Sequence, residues 1–395
     1  MPRFEPFAAL RYAAGTDYDA VIAPPYDVVS DADVAALGAR SPHNIVHVDV
    51  PAAGPGEDRY AVAARLLGQW QRDGVLVADS EPSLTIYRMR FTDETGADRS
   101  LVGVLGGLEV VDAGVGGVLP HERTTPKAST DRLDLTRATR ANLSPVWGLS
   151  LASGLTDLLA APGEAMGSLV VDGVEHVAER VTDPARIAAI GALVDSDDVL
   201  IADGHHRYGV ARQYRDEVRE ATGRSDSPAE LTLTFVNELV ADQLSIEAIH
   251  RLVLGMSLEQ VRVTLERDFD LEPAPAPGPQ LLADLVRLGR LALVTFDGTA
   301  WWLVPKDGAF AGIRDLDGAW LEHTFAGSEA RFEYQHGVSE VGQALADGRA
   351  DAAILIRPTS LAEIERTARE GLLMPPKSTF FTPKLRTGLV VRPLG

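Results

Sequence analysis

A ten-residue stretch in the middle of the chain, Val199 to Tyr208, constrains the fold more than any other segment. It consists of an apolar run and then a polar one, Val199-Leu200-Ile201-Ala202 followed by Asp203-Gly204-His205-His206-Arg207-Tyr208. Beyond it, apolar side chains recur at helical spacing at Tyr208, Ala211, Tyr214 and Val218. The pattern predicts a buried strand, a tight turn and a helix N-terminus. Backbone N–H groups at such a terminus are unpaired and carry partial positive charge, so anions bind there.

The polar turn within this stretch admits two interpretations. In the first, Asp203 caps the helix and Gly204 supplies the turn, with no further role. In the second, Asp203, His205, His206 and Arg207 form a site that can hold phosphate and a metal ion. Four ionisable or metal-binding side chains within five positions favour the second interpretation.

Length and composition bound the class of protein. The chain has 395 residues, which is long for a single core and predicts two or three domains. Its net charge of -20 argues against a nucleic-acid-binding surface and against binding to anionic membranes. The chain contains no cysteine, which excludes disulfides, cysteine-ligated metals and thiol nucleophiles. In so acidic a chain, any local cluster of basic residues is informative.

Targeting and membrane signals are missing from the sequence. The first twenty residues contain no uninterrupted apolar segment, and no run of about 18 apolar residues occurs anywhere. We therefore expect neither a signal peptide nor a transmembrane helix. The expected protein is soluble and cytoplasmic, and binds neither nucleic acid nor membrane.

A basic cluster lies between residues 121 and 140. It begins with His121-Glu122-Arg123-Thr124-Thr125-Pro126-Lys127 and continues with Arg132, Arg137 and Arg140. One interpretation is a solvated helix face, which is the usual outcome for a charge run. The other is an anion-binding cradle, with Glu122 as a carboxylate among cations. Neither a Walker A loop nor a GxGxxG fingerprint occurs in the chain, so no nucleotide-binding loop is predicted.

Shorter segments complete the outline. Tyr26 and Asp27 follow two prolines and are either turn residues or ligand contacts. His250 is either a structural histidine or a site residue. The segment 374–386 is rich in basic, hydroxyl and proline residues and is predicted to be a loop that carries Lys377 and Lys384. We predict strands at 43–50, 84–91, 101–111, 168–177 and 388–391, and helices that begin near Ser30, Asp183, Ser257 and Ser360.

Several of these motifs together resemble one protein family. The ordered set is PPYDV, HExT followed by Lys127 and DRL, NLSP, ADGHHRY and MPPKSTFFxPK, and it extends from about Phe7 to Arg386. It looks like a family of bacterial and archaeal proteins long classed as a domain of unknown function, some of whose members resemble pyrophosphate-dependent serine kinases. The DGHHRY turn is also similar to that of ParB-like ADP-dependent serine kinases. In those proteins a ParB/sulfiredoxin-type core holds the donor phosphates at a helix N-terminus.

The resemblance implies a reaction and a set of roles. The reaction is phosphoryl transfer from pyrophosphate to L-serine, which gives O-phospho-L-serine and phosphate. It implies that Glu122 is the catalytic base and that Asp203 is catalytic, close to the serine hydroxyl or to Mg²⁺. It also implies that His205, His206 and Arg207 bind phosphate. The remaining expected assignments are phosphate binding by Lys127, Arg132 and Lys377, and substrate binding by Tyr26, Asp27, Thr124 and Asn142.

The residue types are compatible with this chemistry. Phosphoryl transfer depends on positioning and charge neutralisation. Pyrophosphate has neither base nor ribose, so its site needs cations and backbone donors rather than a nucleotide loop. A serine hydroxyl is a poor nucleophile and needs a base, for which Glu122 is the leading candidate. Mg²⁺ prefers carboxylate oxygens, and Asp203 is the first candidate ligand.

Three other functions stay open on the sequence alone. They are a nucleotide-dependent kinase, a metal-dependent hydrolase that uses Asp203, His205 and His206, and a non-catalytic ParB-like binding protein. The expected fold is mixed α/β (α+β), with a ParB/sulfiredoxin-like core and additional N- and C-terminal α/β portions. The expected portions are residues 1–115, 116–255 and 256–395, with the site in the cleft between them.

Overall fold

The computed structural model describes residues 1–93, 96–112, 114–121, 127–374 and 377–395, without the side chains of residues 127–129. The strands of these residues are β1 Phe4–Glu5, β2 Leu10–Tyr12, β3 Leu76–Ala78, β4 Leu84–Thr92, β5 Asp98–Glu109, β6 Val118–Leu119, β7 Ala141–Asn142, β8 Val146–Ser150, β9 Glu164–Val171, β10 Val174–Val181, β11 Val199–Asp203, β12 Leu231–Glu238, β13 Ser245–Glu247, β14 Ile249–Leu254, β15 Phe269–Pro273, β16 Leu291–Thr295, β17 Ala300–Pro305, β18 Arg331–His336, β19 Ala352–Leu355, β20 Phe380–Thr382 and β21 Arg392–Pro393. The helices are α1 Tyr18–Val21, α2 Asp31–Arg40, α3 Val46–Asp49, α4 Arg59–Arg72, α5 Lys127–Thr139, α6 Leu155–Ala160, α7 Pro184–Val194, α8 His205–Thr222, α9 Leu258–Leu265, α10 Pro279–Leu288, α11 Asp317–Thr324, α12 Val338–Ala346 and α13 Leu361–Arg369. The expected mixed α/β class is confirmed.

The larger of two main sheets has nine strands. Its order is β6-β11-β8-β12-β5-β4-β10-β9, and β1 pairs with β5 beside this path. Most neighbours are antiparallel, whereas β11 with β6 and β12 with β8 are parallel. Alternate residues of β11 face opposite cores: Val199 and Ile201 pack on one face, and Leu200 and Ala202 on the other. The sheet is therefore covered on both faces, and β11 ends in the interior of the molecule.

The second main sheet has six strands in the order β15-β17-β16-β19-β14-β18. It too has an apolar core on each face. Helix α9 packs on one face through Val261 and Leu265, and α10 packs on the other through Leu281 and Leu285. This sheet begins at Ile249, whereas the last strand of the nine-stranded sheet ends at Glu238.

The C-terminal segment returns from the second sheet to the first. Strand β20 pairs with β13, β21 pairs with β7, and single bridges join Thr387 to Ala23 and Val391 to Leu10. Arg386 is buried and donates to Asp172 at 3.2 Å and to His176 at 3.4 Å. The segment 374–386, predicted as a loop, thus contains the short strand β20, and Arg386 at its end contacts the nine-stranded sheet through His176.

Three predicted strands differ from the structure. Residues 43–50 contain the single-turn helix α3. At the start of this helix, the Asn44 side chain accepts a hydrogen bond from the Val46 amide at 3.0 Å. Residues 168–177 span a hairpin, because Asp172 and Gly173 both have positive φ and form a turn suited to two-residue loops. Residues 388–391 make only one bridge, and the last strand is β21. At 43–50 and 388–391 the apolar residues are buried, as predicted for strands, but no neighbouring strand pairs along their length.

The predicted portions relate to the two sheets in different ways. Strands from both sides of residue 115 enter the nine-stranded sheet, so that boundary does not separate two sheets. The boundary at 255 falls one residue after β14, which belongs to the six-stranded sheet. The division into three portions stays a prediction.

Candidate functional site

The predicted strand, turn and helix are confirmed at the centre of the chain. Strand β11 ends at Asp203, Gly204 is the N-cap of α8, and α8 begins at His205. Gly204 has φ 87°, and a Cβ at this position would lie 3.0 Å from Nε of Arg207. No side chain caps the helix, so the interpretation of Asp203 as a simple cap is wrong. The pairing of β11 with β8 shifts register between Ile201 and Asp203, an irregularity of the kind that redirects a side chain.

Two cations hold the carboxylate of Asp203. Lys384 Nζ donates to Oδ1 at 2.7 Å, and Arg207 Nη2 donates to Oδ2 at 2.5 Å. Burial alone would raise the pKa of Asp203, but the charges of Lys384 and then Arg207 lower it well below its usual range. Asp203 is therefore an anion fixed between two cations at the N-terminus of an 18-residue helix.

Arg207 connects Asp203 to a second polar cluster. Its Nη1 donates to the carbonyl of Pro145, so the guanidinium is held on two sides. The charges that act on Arg207 include those of Asp27 and Asp49 as well as Asp203. Within this cluster, the guanidinium of Arg132 lies 4.2 Å from the ring centre of Tyr26. Burial raises the pKa of Tyr26 to about 12, so its hydroxyl is a donor at neutral pH.

A buried pair of histidines lies beside the start of α8. His121 has no exposed surface, and its ring packs edge-on against His205 with centroids 4.7 Å apart. Its Nδ1 is 2.7 Å from the Ile201 carbonyl and its Nε2 is 3.0 Å from the Thr379 hydroxyl. Burial lowers the pKa of His121 to about 4 and lowers that of His205 well below the ordinary value. Both rings are neutral at pH 7, and the Nε2 of His205 accepts from the His121 amide at 3.4 Å.

The C-terminal loop forms another wall of the site. The amide of Met374 donates to the His121 carbonyl at 2.7 Å. Lys384 lies with Nζ 4.1 Å from the ring centre of Phe380, which stacks on His336 of the six-stranded sheet with centroids 4.5 Å apart. Asp203 therefore meets a cation that is 181 residues away in sequence.

The structure separates the predicted basic cluster into inward and outward residues. Arg132 is buried and donates to the carbonyl and carboxylate of Asp49. Arg137 is half exposed and pairs with Asp134 and Glu217 on the surface. The solvated interpretation is correct for Arg137, whereas Arg132 is directed inward to Asp49 and its expected phosphate binding stays a prediction.

The other predicted residues have different surroundings. The Asn142 side chain accepts from the Leu233 amide at 3.0 Å and so supports the sheet. Lys377 is exposed at φ 60°, and its carbonyl accepts from Arg251. His250 is buried and its Nδ1 accepts from the Ile356 amide at 3.2 Å, which makes it structural. Glu122 and Thr124 lie outside the described residues, as does the side chain of Lys127.

From the sequence, Lys384 is predicted only as a basic residue of the closing loop, and Asp49 and Thr379 are not predicted as site residues. Lys384 had one signal, its place in a basic loop of an acidic chain. Asp49 lies within the segment 43–50, which is predicted as a strand, and Thr379 lies in a predicted loop, so neither has a local signal.

The described residues do not form a ready metal site. Across them, no group of three or more His, Asp and Glu side chains has the arrangement of a metal centre. Both oxygens of Asp203 are ion-paired, so a Mg²⁺ ion there would have to displace Lys384 and Arg207. Asp203 therefore does not fit its expected role as a Mg²⁺ ligand. The alternative of a metal-dependent hydrolase, with Asp203, His205 and His206 as metal ligands, gains no support. Among the described helices, none has the length and apolar character to cross a membrane.

Three solved structures match this chain at low sequence identity and with TM-scores below 0.4. Free serine kinase in complex with AMP is 12% identical, with a TM-score of 0.37 over 69% of this chain and 89% of that one. SbnI with C-terminal truncation from Staphylococcus aureus is 12% identical, with a TM-score of 0.38 over 73% and 87%. A conserved hypothetical protein from Pyrococcus furiosus is 11% identical, with a TM-score of 0.37 over 67% and 87%.

Comparison of the sequence with known families gave a broader match. No curated protein matches the chain. One family model matches residues 4–319, which is most of the chain and includes the strand, turn and helix around Asp203. The chain therefore belongs to the family described as "Protein of unknown function (DUF1015)".

Proposed function

We propose that this protein is a phosphotransferase that moves a phosphoryl group from pyrophosphate to the hydroxyl of L-serine, giving O-phospho-L-serine and phosphate. The observation that carries the proposal is the cationic site around Asp203. Lys384 and Arg207 converge on one carboxylate at the N-terminus of α8, in a chain of net charge -20. Such a concentration of positive charge in an acidic protein suits an anionic substrate.

The proposed donor site uses three kinds of group. The first-turn amides of α8 point toward the end of β11 and are suited to phosphate oxygens. Arg207 supplies a planar, bidentate guanidinium, and Lys384 supplies a compact charge. Neutral His205 adds a ring nitrogen without further charge, whereas the two ring nitrogens of His121 contact the Ile201 carbonyl and the Thr379 hydroxyl. In the state described here Asp203 neutralises Lys384 and Arg207, and an incoming phosphate would compete with it for them.

The proposed reaction is an in-line displacement. The serine hydroxyl oxygen attacks the terminal phosphorus of pyrophosphate, and the bond from that phosphorus to the bridging oxygen breaks. The hydroxyl proton passes to a carboxylate base, and the other phosphate leaves with the electron pair of the broken bond. We assign the base to Glu122, which directly follows His121 in sequence. That assignment rests on the family resemblance, because Glu122 lies outside the described residues.

Magnesium remains part of the proposal only as a companion of the pyrophosphate. Mg²⁺ bound to phosphate oxygens supplies charge neutralisation in phosphoryl transfer. No step of the proposed reaction depends on Asp203 as its ligand.

A nucleotide-dependent kinase is the second candidate, and one observation favours it. A cleft of about 460 Å³ lies beside Lys384, between the segment after α1 and the C-terminal loop. Its lining residues include Val29, Leu37, Val171, Phe380 and Arg386. An apolar cleft next to a phosphate-binding lysine is suited to a nucleoside, so ADP or ATP is the alternative donor.

A donor screen tests both candidates. Purified protein is incubated with L-serine and Mg²⁺ and with pyrophosphate, ADP or ATP, and O-phosphoserine and released phosphate are measured. The proposal expects phosphoserine with pyrophosphate and little with either nucleotide. Turnover with a nucleotide alone would favour the second candidate, and the absence of phosphoserine with all three donors would refute both.

A variant tests the proposed base. Glu122→Gln removes the proton acceptor and nearly preserves side-chain volume, so we expect phosphoserine formation to fall at least 100-fold while the thermal midpoint stays unchanged. An unchanged kcat in this variant would show that the base is another group.

A further inference from the structure

Asp49 is a buried carboxylate that the proposed reaction does not use. Its exposed fraction is 2%, and it lies at the end of α3. Arg132 donates to its backbone carbonyl at 2.7 Å and to Oδ1 at 3.2 Å. The second oxygen, Oδ2, is buried and has no hydrogen-bond partner among the described residues. A buried carboxylate oxygen without a donor is costly, so it calls for an occupant that donates hydrogen bonds.

A cavity of about 40 Å³ adjoins Asp49. Its charged lining residues are Asp49, Arg132 and Arg207, and Ser144 and Asn142 contribute polar groups. Since a single water needs about 10–15 Å³ of such space, the cavity has room for roughly three waters or one small polar group. Arg207 lines the cavity and also donates to Asp203, so the cavity and the phosphate site share a wall.

We propose that Asp49 Oδ2 binds the ammonium group of the amino-acid substrate, in the cavity that Asp49 shares with Arg132 and Arg207. The proposal rests on the proposed function and names the part of the site that would recognise an amino acid rather than a simple alcohol. The ammonium group has three N–H donors and a positive charge. It therefore supplies the hydrogen-bond donor that Oδ2 lacks among the described residues. The remainder of the substrate extends past Arg207 toward Asp203.

The charges around the cavity match a zwitterion. Arg132, Arg207 and Asp49 line the space, and this combination of two cations and one carboxylate complements the carboxylate and the ammonium of an α-amino acid. Arg132 is held from the opposite side by Asp131, to which its Nη2 donates at 2.6 Å. Tyr26 packs on the same guanidinium, so Arg132 and Asp49 are both fixed before a ligand arrives. Burial raises the pKa of Asp49, opposed by Arg132 and Arg207, and a bound ammonium group would add to that opposition.

Calorimetric binding measurements test the proposal without any phosphoryl donor. The two ligands are L-serine and 3-hydroxypropionate, which is serine without its amine. Wild-type protein should bind L-serine at least 10-fold more tightly than 3-hydroxypropionate. In Asp49→Asn, L-serine should bind about 10- to 100-fold more weakly, the range for one charge-assisted hydrogen bond, and 3-hydroxypropionate should bind as in wild type.

A matched control separates ammonium binding from the support of Arg132. Asp131→Asn also removes a carboxylate from Arg132, but on the outer side, where Asp131 is one-third exposed. It should leave the affinities for both ligands within about 3-fold of wild type. Unchanged L-serine affinity in Asp49→Asn would refute the proposal, because Oδ2 would then not contact the ammonium group. Equal weakening of both ligands would also refute it, because Asp49 would then act only by supporting the structure of the site.

A wild-type measurement covers the case in which Asp49→Asn does not fold. N-acetyl-L-serine has no positive charge and a larger nitrogen substituent, so it should not bind detectably. Binding equal to that of L-serine would refute the proposal. If the binding pattern is as expected and phosphoserine never forms, the ammonium site stands and the proposed reaction fails. If phosphoserine forms and Asp49→Asn keeps the wild-type KM for L-serine, the ammonium site fails alone.

Discussion

Replacing Lys384 by methionine tests the central ion pair of the site. Lys384→Met keeps the approximate length of the side chain, but it removes the charge from Asp203 Oδ1 and from the face of the Phe380 ring. Lys384 and Asp203 are 16% and 22% exposed, so solvent screens their interaction only in part. We expect a loss of stability together with a loss of affinity for the anionic donor.

The magnitude follows from the geometry. At 2.7 Å and an effective dielectric constant of about 20, the attraction between unit charges is about 6 kcal/mol before desolvation is subtracted. Loss of one partner of a buried pair generally costs about 3–5 kcal/mol. Asp203 keeps Arg207 in this variant, so we expect a cost at or just below the lower limit of that range, about 2–3 kcal/mol in the free energy of unfolding. For activity, we expect kcat/KM for pyrophosphate to fall about 100-fold or more.

A double-mutant cycle with Asp203→Asn measures the pair directly. Urea denaturation of the wild type, the two single variants and the double variant gives the coupling energy, which we expect to be about 1–3 kcal/mol. Acid unfolding supplies a second measurement. Because the pKa of Asp203 is lowered in the folded protein, its stabilisation is present above about pH 4 and is lost as the pH falls through the folded pKa. Lys384→Met raises that pKa, so acid unfolding should begin at a higher pH.

Lys306→Met is the matched control. Lys306 is 39% exposed, lies 3.9 Å from Asp270 on the six-stranded sheet and donates to the Glu266 carbonyl. It should change stability by less than about 1 kcal/mol and leave the donor kinetics unchanged. A coupling energy below about 0.5 kcal/mol between Lys384→Met and Asp203→Asn would refute the ion-pair reasoning, whatever the effect on activity.

Two further predictions concern the turn and the buried histidines. Gly204→Ala and Gly223→Ala both place a side chain at positive φ, and each should cost about 1 kcal/mol of stability. Only Gly204→Ala should abolish activity, because its Cβ meets Arg207, whereas the Cβ at Gly223 meets nothing within 4 Å; equal activity of the two variants would contradict this. Stability measured by urea denaturation should fall between about pH 6.5 and pH 4, because His121 and His176 are buried and their folded pKa values lie below that of an unfolded histidine. For His121 the loss is about 3 kcal/mol, and His121→Gln should flatten this dependence; an unchanged slope would be the contrary result.

Several local elements were predictable from the sequence because their causes are local. The strand, turn and helix around Asp203 follow from an apolar run, a glycine at positive φ and helical periodicity. The helices that begin after Ser30 and Ser257 follow from capping boxes, and the helix after Asp183 follows from a cap and a proline at its first position. Each of these signals depends on residues a few positions apart, so each is legible in one segment.

The two-residue turn at Asp172 and Gly173 could not be predicted from the sequence. Its apolar flanks form one continuous pattern, and the turn is recognisable only when both strands are paired. The prediction of a strand at 43–50 is wrong for a different reason: its apolar residues face a core, but no neighbouring strand pairs with them. Burial is visible in both sequences, but the geometry that achieves it is not.

The sequence by itself determined the mixed α/β character, the strand, turn and helix start at Asp203 and Gly204, and the scarcity of cations that makes each basic cluster meaningful. The tertiary structure decided which charges meet. It brought Lys384 to Asp203, turned Arg132 inward and Arg137 outward, and buried Asp49 with one open oxygen. Turns and helix ends are set by short-range sterics and hydrogen bonds, whereas ion pairs between distant segments depend on the packing of whole sheets and loops.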